Sequence, residues 1–366
     1  MTANAAPRAM TTDETAQRGD LPRTATASPS LSDALVALRQ PDAYPCAPGT
    51  VTVRETHMSY VFLTDRFVYK LKKPVRLNSL DYTTLDRRRA CCETEVALNR
   101  RLAPGIYLGL VPLARTADGA LRLEADGPVV DWLVRMRRLP DARMLDVALA
   151  QGTATREDVE RAADLLAGFF RAAPAETVPE ALYLRRFTHD LALDRALLCD
   201  PAFALAEAAP GRLLDRLGAW LETHGEALLA RLHGGHVIEG HGDLRPEHIF
   251  LGPPPAVIDA LEFDRTLRLL DPAEEIAFLA LECDRLGAAW AGAIVRDRCA
   301  TARGAAASAE VSAFYLAFRA CLRARLCVGH LQDAAPRAPE TWLPKARWYL
   351  EKAREAAEML SPPAGR

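Results

Sequence analysis

The residues best suited to chemistry lie in one stretch: Val237-Ile-Glu-Gly-His-Gly-Asp243-Leu-Arg-Pro-Glu-His248-Ile-Phe-Leu251, then Gly252-Pro-Pro-Pro255, then Ala256-Val-Ile-Asp259. Two short apolar strands flank a proline turn. Such a hairpin folds back on itself, so Asp243, before its first strand, and Asp259, at the end of its second, are expected to face one cleft. Paired carboxylates suit phosphoryl transfer. One accepts or orients the proton of an attacking hydroxyl, and the other holds Mg²⁺ against the phosphates. His241, beside a carboxylate better suited to be a base, reads as a loop residue donating to backbone.

A site of this kind also needs cations. Only five of the 46 Lys and Arg residues are Lys, and three of the five are Lys70, Lys72 and Lys73. The apolar alternation from Phe67 to Leu71 favours Lys70, with Lys72 and Lys73 as alternatives. Glu95 is a candidate partner, and the other reading pairs it with Arg88 or Arg101 on its own helix. No GxGxxG is present. Thr56-His57-Met58-Ser59 instead offers hydroxyls and backbone amides to phosphate, with Ser59 as the candidate contact. Glu262 is read either as assisting metal or substrate or as a structural salt-bridge residue. Tyr315, Arg319 and Arg323 fall at i, i+4 and i+8, and a charged helix face is preferred there over two guanidiniums serving an anionic substrate.

The elements that must position these residues divide into two kinds. Residues 1 to about 30 hold scarcely a large apolar side chain and are expected to be disordered. After a short helix from Leu31, capped at Ser30 or Ser32, the runs 51–54, 60–63 and 67–71 are β-branched or aromatic and read as strands. Thr64-Asp65-Arg66 is the turn of a hairpin. Residues 84–102 have helical spacing and end at Ala103-Pro104-Gly105. Further strands are expected at 108–113, 121–124 and 129–136, with turns at Ala117-Asp118-Gly119 and Asp126-Gly127-Pro128. From about Met144 helices dominate, at 144–151, 155–173, 188–198, 211–232, 272–297, 308–331 and 341–359. Strand-like pieces interrupt them near 236–270. The expected fold is α+β and two-lobed: an N-lobe (31–138) of small antiparallel sheet with one main helix, and a larger helical C-lobe (139–362).

HGDLRPEH with Asp259 eleven residues on resembles the catalytic loop and metal-binding Asp of the aminoglycoside phosphotransferase and protein-kinase-like superfamily, whose loop usually reads HGDxxxxN or HRDLKPEN. The resemblance implies a two-lobed protein-kinase-like fold. It makes Asp243 the catalytic base, Asp259 a magnesium ligand and Arg245 a cation at the transferred phosphate. His248 stands where the family carries Asn, so it joins Asp259 as a candidate metal residue, with Mn²⁺ as the alternative ion. Val68-Tyr69-Lys70 resembles the nucleotide-anchoring strand, and Glu95 the helix Glu that orients its Lys. Leu269-Leu270-Asp271-Pro272-Ala273-Glu274-Glu275-Ile276-Ala277 is similar to the family's D-P-x-x-D-L-A segment, which implies that Asp271 braces the catalytic loop. Other strings, among them LNRRLAPGIYLGLVPL and IDALEFD, look like a bacterial branch whose members are sometimes joined to a P-loop kinase domain. This chain is expected to lack that domain.

The implied function is ATP-dependent transfer of the γ-phosphate to a hydroxyl of a small molecule. The alternative is a catalytically weak or inactive nucleotide-binding regulatory module, motivated by His248 and the missing glycine-rich loop. Composition narrows the remainder. Forty-six cationic residues against 48 acidic ones leave a formal charge of −2, no electrostatic footprint for nucleic acid. No apolar run approaches the roughly 18 residues of a membrane span, and the first thirty residues lack a signal's apolar core. Cytoplasm is the expected location. The eight cysteines show no CxxC pair and are expected to be buried free thiols. Oligomeric state has no signature in the sequence.

Overall fold

A computed structural model describes residues 30–77, 80–205, 208–332, 336 and 338–362. The tail expected to be disordered lies, apart from Ser30, outside the described residues. Helix α1 (Leu31–Leu38) opens on a capping box, with Ser30 Oγ accepting the Asp33 N–H and Asp33 accepting that of Ser30. The chain then lays down β1 (Thr52–Glu55), β2 (Ser59–Leu63) and β3 (Phe67–Lys72). A two-stranded pair follows, β4 (Arg76–Leu77) with β5 (Leu80–Asp81), where the sequence gives no strand signal. Next come α2 (Leu85–Asn99), capped by Thr84, and β6 (Tyr107–Arg115), β7 (Leu121–Leu123) and β8 (Val129–Arg137).

Six of these strands form one antiparallel sheet in the order β1-β2-β3-β8-β6-β7. Because side chains alternate along a strand, its two faces have separate jobs. Tyr69 and Leu71 of β3 join Val111, Leu113 and Leu133 in a core under α1. Val68 joins Tyr107, Val134 and Met136 on the other face, against Cys92 and Val96 of α2. Period two therefore sends Lys70 and Lys72 to the α2 side together.

The helical part begins after Arg137 with α3 (Leu145–Ala150), α4 (Arg156–Ala172), α5 (Glu180–Leu198) and α6 (Pro210–His233). Four short strands follow: β9 (Ile238–Glu239), β10 (Ile249–Phe250), β11 (Ala256–Val257) and β12 (Leu269–Leu270). Then come α7 (Pro272–Arg285), α8 (Ala289–Cys299), α9 (Ala309–Gly329) and α10 (Trp342–Ala357). Helix α5 starts eight residues before the expected 188, directly after Pro179, which has no N–H to leave unsatisfied at a helix start. The single helix expected at 272–297 is two helices, broken at Gly287, whose φ of +74° is left-handed.

Two apolar cores stabilise this part. One joins α5, α6, α9 and α10 through Phe187, Trp220, Phe314 and Tyr349, with the Trp220 and Phe314 rings stacked at 4.6 Å. The other packs α3, α4, α7 and α8 around the β10–β11 hairpin through Phe170, Ile249, Val257 and Leu279. That hairpin is thus anchored on its inner side, which leaves its ends to carry polar residues. Cys46 and Cys199 are exposed, contrary to expectation, while the other six thiols are buried and free. Among the described residues no helix is long and apolar enough to cross a membrane.

Candidate active site

β10 and β11 pair antiparallel, Ile249 with Val257 and Phe250 with Ala256, around the proline turn. The pairing brings the two ends of the motif together. His248 bridges them: its Nδ1 lies 2.8 Å from the Asp243 carbonyl oxygen, and its Nε2 lies 3.7 Å from Asp259 Oδ2. Its Nε2 also lies 3.3 Å from Arg245 Nη2. Arg245 donates through Nε to Asp243 Oδ2 at 3.1 Å and through Nη1 to Glu247 at 2.8 Å. Burial pushes the Asp243 carboxyl up, but His248, Arg245 and Arg323 outweigh it and hold the group below the usual carboxylate range.

Lys70 reaches this pair from the sheet. Its Nζ lies 2.7 Å from Asp259 Oδ1 and 2.9 Å from Glu95 Oε1. Desolvation lowers the affinity of this amine for its proton, yet Asp259, Glu95 and Glu262 reverse the effect and hold it well above the ordinary lysine range. Asp259 in turn is held far below the usual carboxylate range: its burial is outweighed by Lys70, then His248. Asp259 also has a left-handed backbone, φ +62°, a conformation costly for a residue with a Cβ. Its N–H donates to Tyr107 Oη at 3.1 Å, and the next amide, Ala260, donates to Asn99 Oδ1 at 2.9 Å.

Lys70 is thus the cation at the carboxylates, and its two neighbours do other work. Lys72, fully buried, pairs with Glu95 Oε2 at 2.5 Å and with Glu262. Glu262 is therefore a salt-bridge residue. Lys73 pairs with Glu55 near the surface. Arg88 binds Asp131, and Arg101 donates to the carbonyls of Glu239 and Gly240, so neither competes for Glu95. Ser59 sits opposite Lys72 in the β2–β3 register but is 1% exposed, and its Oγ has no hydrogen-bond partner. It is not joined to the Lys70 group by any hydrogen bond.

No family model matches the chain. Uncharacterized proteins of Mycobacterium tuberculosis and Mycobacterium bovis are 31% identical over 304 residues, a match covering 81% of this chain and 59% of theirs. The chain therefore spans about three-fifths of the length of these curated relatives. Among solved structures, a choline/ethanolamine kinase family protein from Mesorhizobium loti is 12% identical, with TM-score 0.48, covering 86% of this chain and 91% of that one. The GDP complex of aminoglycoside 2'-phosphotransferase-IIIa is 14% identical, with TM-score 0.47 and coverage of 84% and 93%. Choline kinase from Cryptosporidium parvum is 9% identical, with TM-score 0.48 and coverage of 89% and 96%.

The brace of the loop is not the residue the resemblance implied. Asp271 caps α7 through the Ala273 N–H and takes a bidentate ion pair from Arg231, at 2.6 and 3.0 Å. The loop is held one turn later, by Glu275, which accepts the N–H groups of His241 at 2.9 Å and Gly242 at 2.5 Å. The reason is helical: 275 follows the cap by four residues and faces the loop, whereas a cap must turn its side chain to its own helix end. Glu275 occupies the second acidic place of the D-P-x-x-D pattern, a signal the sequence contained. His241 donates from Nε2 to the Ile258 carbonyl at 2.9 Å and accepts the Asp243 N–H at Nδ1, so it is a neutral loop fastener. Arg319 and Arg323 are committed to the buried carboxylates Glu274 and Glu282, and Tyr315 lies in the core. Asn99 carried a weak signal, since the chain has only three Asn.

Proposed function

We propose that the chain is an ATP-dependent phosphotransferase acting on a hydroxyl of a small molecule. The observation that carries this reading is Lys70 of the sheet bound at once to Glu95 and to Asp259, with Asp243 beside Asp259 across His248. Asp243, kept ionised, orients the acceptor hydroxyl and takes its proton. Lys70, fixed by Glu95, and Arg245 supply positive charge for the phosphates.

A divalent cation fits the donors that remain. Asp259 offers Oδ2, and neutral His248 would add Nε2, 3.7 Å from it, on release of its contact with Arg245 Nη2; among the described residues no cluster of three ligating side chains occurs. Cations in phosphoryl-transfer sites are commonly held by one or two protein groups, with phosphate and water oxygens completing the shell. The nitrogen donor favours Mn²⁺ relative to an all-oxygen Mg²⁺ site. The bound ion would neutralise charge on the phosphate oxygens.

Asp243→Asn tests the assignment. Phosphorylation across a hydroxyl-metabolite panel should fall by about 10²-fold or more, while thermal stabilisation by ATP with Mg²⁺ or Mn²⁺ persists. Unchanged turnover would remove Asp243 from the role. His248 in the place of Asn supports one second reading, a nucleotide-binding regulatory module. Saturable ATP binding in the wild type with no product in either metal would select it.

A further inference from the structure

The charges behind the cleft run in a line that returns to its start. Asp259 meets Lys70, Lys70 meets Glu95 Oε1, Glu95 Oε2 meets Lys72 at 2.5 Å, and Lys72 meets Glu262. Glu262 follows Asp259 by three residues, so one short segment is tied to β3 at both of its ends. Period two along the strand makes this possible, because it sets the two cations side by side on one face.

The two ties have different surroundings. Lys70 and Asp259 open to the cleft, with side chains 12% and 44% exposed, whereas Lys72 is sealed and the Glu262 side chain keeps 9%. Cys91, whose thiol lies 2.8 Å from Tyr82 Oη, also stands 3.8 Å from Glu262 Oε1 and packs against the inner pair. Lys70 can exchange Asp259 for an anion in the cleft. Parting Lys72 from its carboxylates would strand charge in the core, a far larger cost. Between the ties the backbone is bonded as well, Ala260 N–H to Asn99 Oδ1 at 2.9 Å and Leu261 N–H to the His241 carbonyl at 3.0 Å. Directly after Glu262 the chain turns outward, with Phe263 43% exposed. The inner pair therefore sits where the segment would otherwise begin to lift away.

We propose that Lys72 and Glu262 are positioning residues: their ion pair clamps residues 259–262 to the sheet and holds Glu95 from behind, so that Asp259 keeps its place when Lys70 turns to phosphate. The clamp stands on the ion pairs alone, and its service to a nucleotide rests on the phosphotransferase reading. Hydrogen exchange of the full chain without ligand, read by mass spectrometry on peptides spanning 259–262, tests it. These amides should be protected in the wild type. In Glu262→Gln, which leaves Lys72 paired with Glu95, they should exchange about tenfold faster or more, while peptides of α9 are unchanged. Equal protection in Glu262→Gln, or acceleration spread evenly over α9, would overturn the clamp. Titration with the β,γ-imido analogue of ATP and Mn²⁺ supplies the second readout. Glu262→Gln and Lys72→Met should both bind about tenfold more weakly than wild type. Changes of opposite sign would overturn the positioning role, since one variant loses an anion and the other a cation, and charge alone would then account for both. Where Lys72→Met does not fold, the exchange of Glu262→Gln decides alone. A wild type that is protected at 259–262 and binds no nucleotide would uphold the clamp and sink the phosphotransferase reading.

Discussion

Lys70 and Lys72 show how two identical side chains on one strand face acquire different work. Lys70 is 12% exposed at its side chain and spans two carboxylates at the cleft, while Lys72 is sealed between Glu95 and Glu262. Burial raises the Glu262 carboxyl, and Lys72, then Lys70, bring it below its ordinary range, so the carboxylate is ionised in the core. Removing the cation strands that charge. Lys72→Met should therefore destabilise the fold by about 3–5 kcal/mol, read as a lower urea midpoint. Lys73→Ala, at a surface pair with Glu55, should stay within about 0.5 kcal/mol. The Lys-rich string was visible in the sequence. The alternation favoured Lys70 but did not separate it from Lys72, because period two puts both on one face of β3.

At the scale of elements, the loop from Gly240 to Asp243 is shaped by what surrounds it. Gly242 has φ +86°, and a Cβ there would meet Arg268 at 3.0 Å and Leu261 at 3.1 Å, so the glycine of the motif is a steric requirement. His241 is fixed as neutral imidazole; burial, reinforced by His248, lowers its pKa from 6.5 to about 4. The folded value lies below the unfolded one, so the stability from neutral His241 is present above about pH 6.5 and is lost as pH falls toward 4. Wild type should lose about 3 kcal/mol relative to His241→Phe between about pH 7 and pH 3.5, measured by urea denaturation across pH. The hairpin around the three prolines was legible because turn residues and apolar runs are local signals. The break between α7 and α8 was missed because one glycine in a helical pattern is compatible with continuation.

Across the whole molecule, the sheet and the helical part are joined by polar ties to the motif itself. Asn99 holds the Ala260 amide, Tyr107 the Asp259 amide, and Arg101 the carbonyls of Glu239 and Gly240. Asn99→Ala leaves one buried donor unpaired and should cost about 1–3 kcal/mol. Far-ultraviolet dichroism and tryptophan fluorescence, which reports Trp132 in the sheet together with Trp220, Trp290, Trp342 and Trp348 in the helices, should still give coincident transitions; separated transitions would show that the two parts unfold independently. The sequence by itself determined the strands before the helices, the face of β3 that carries the lysines, and the paired aspartates about a turn, because periodicity and turn chemistry act over a few residues. Only the tertiary structure decided that Lys70 meets Asp259 across 189 positions and that Glu275 holds the loop while Asp271 caps a helix. Those outcomes depend on where separately folded surfaces come to rest against one another, and no local pattern records that.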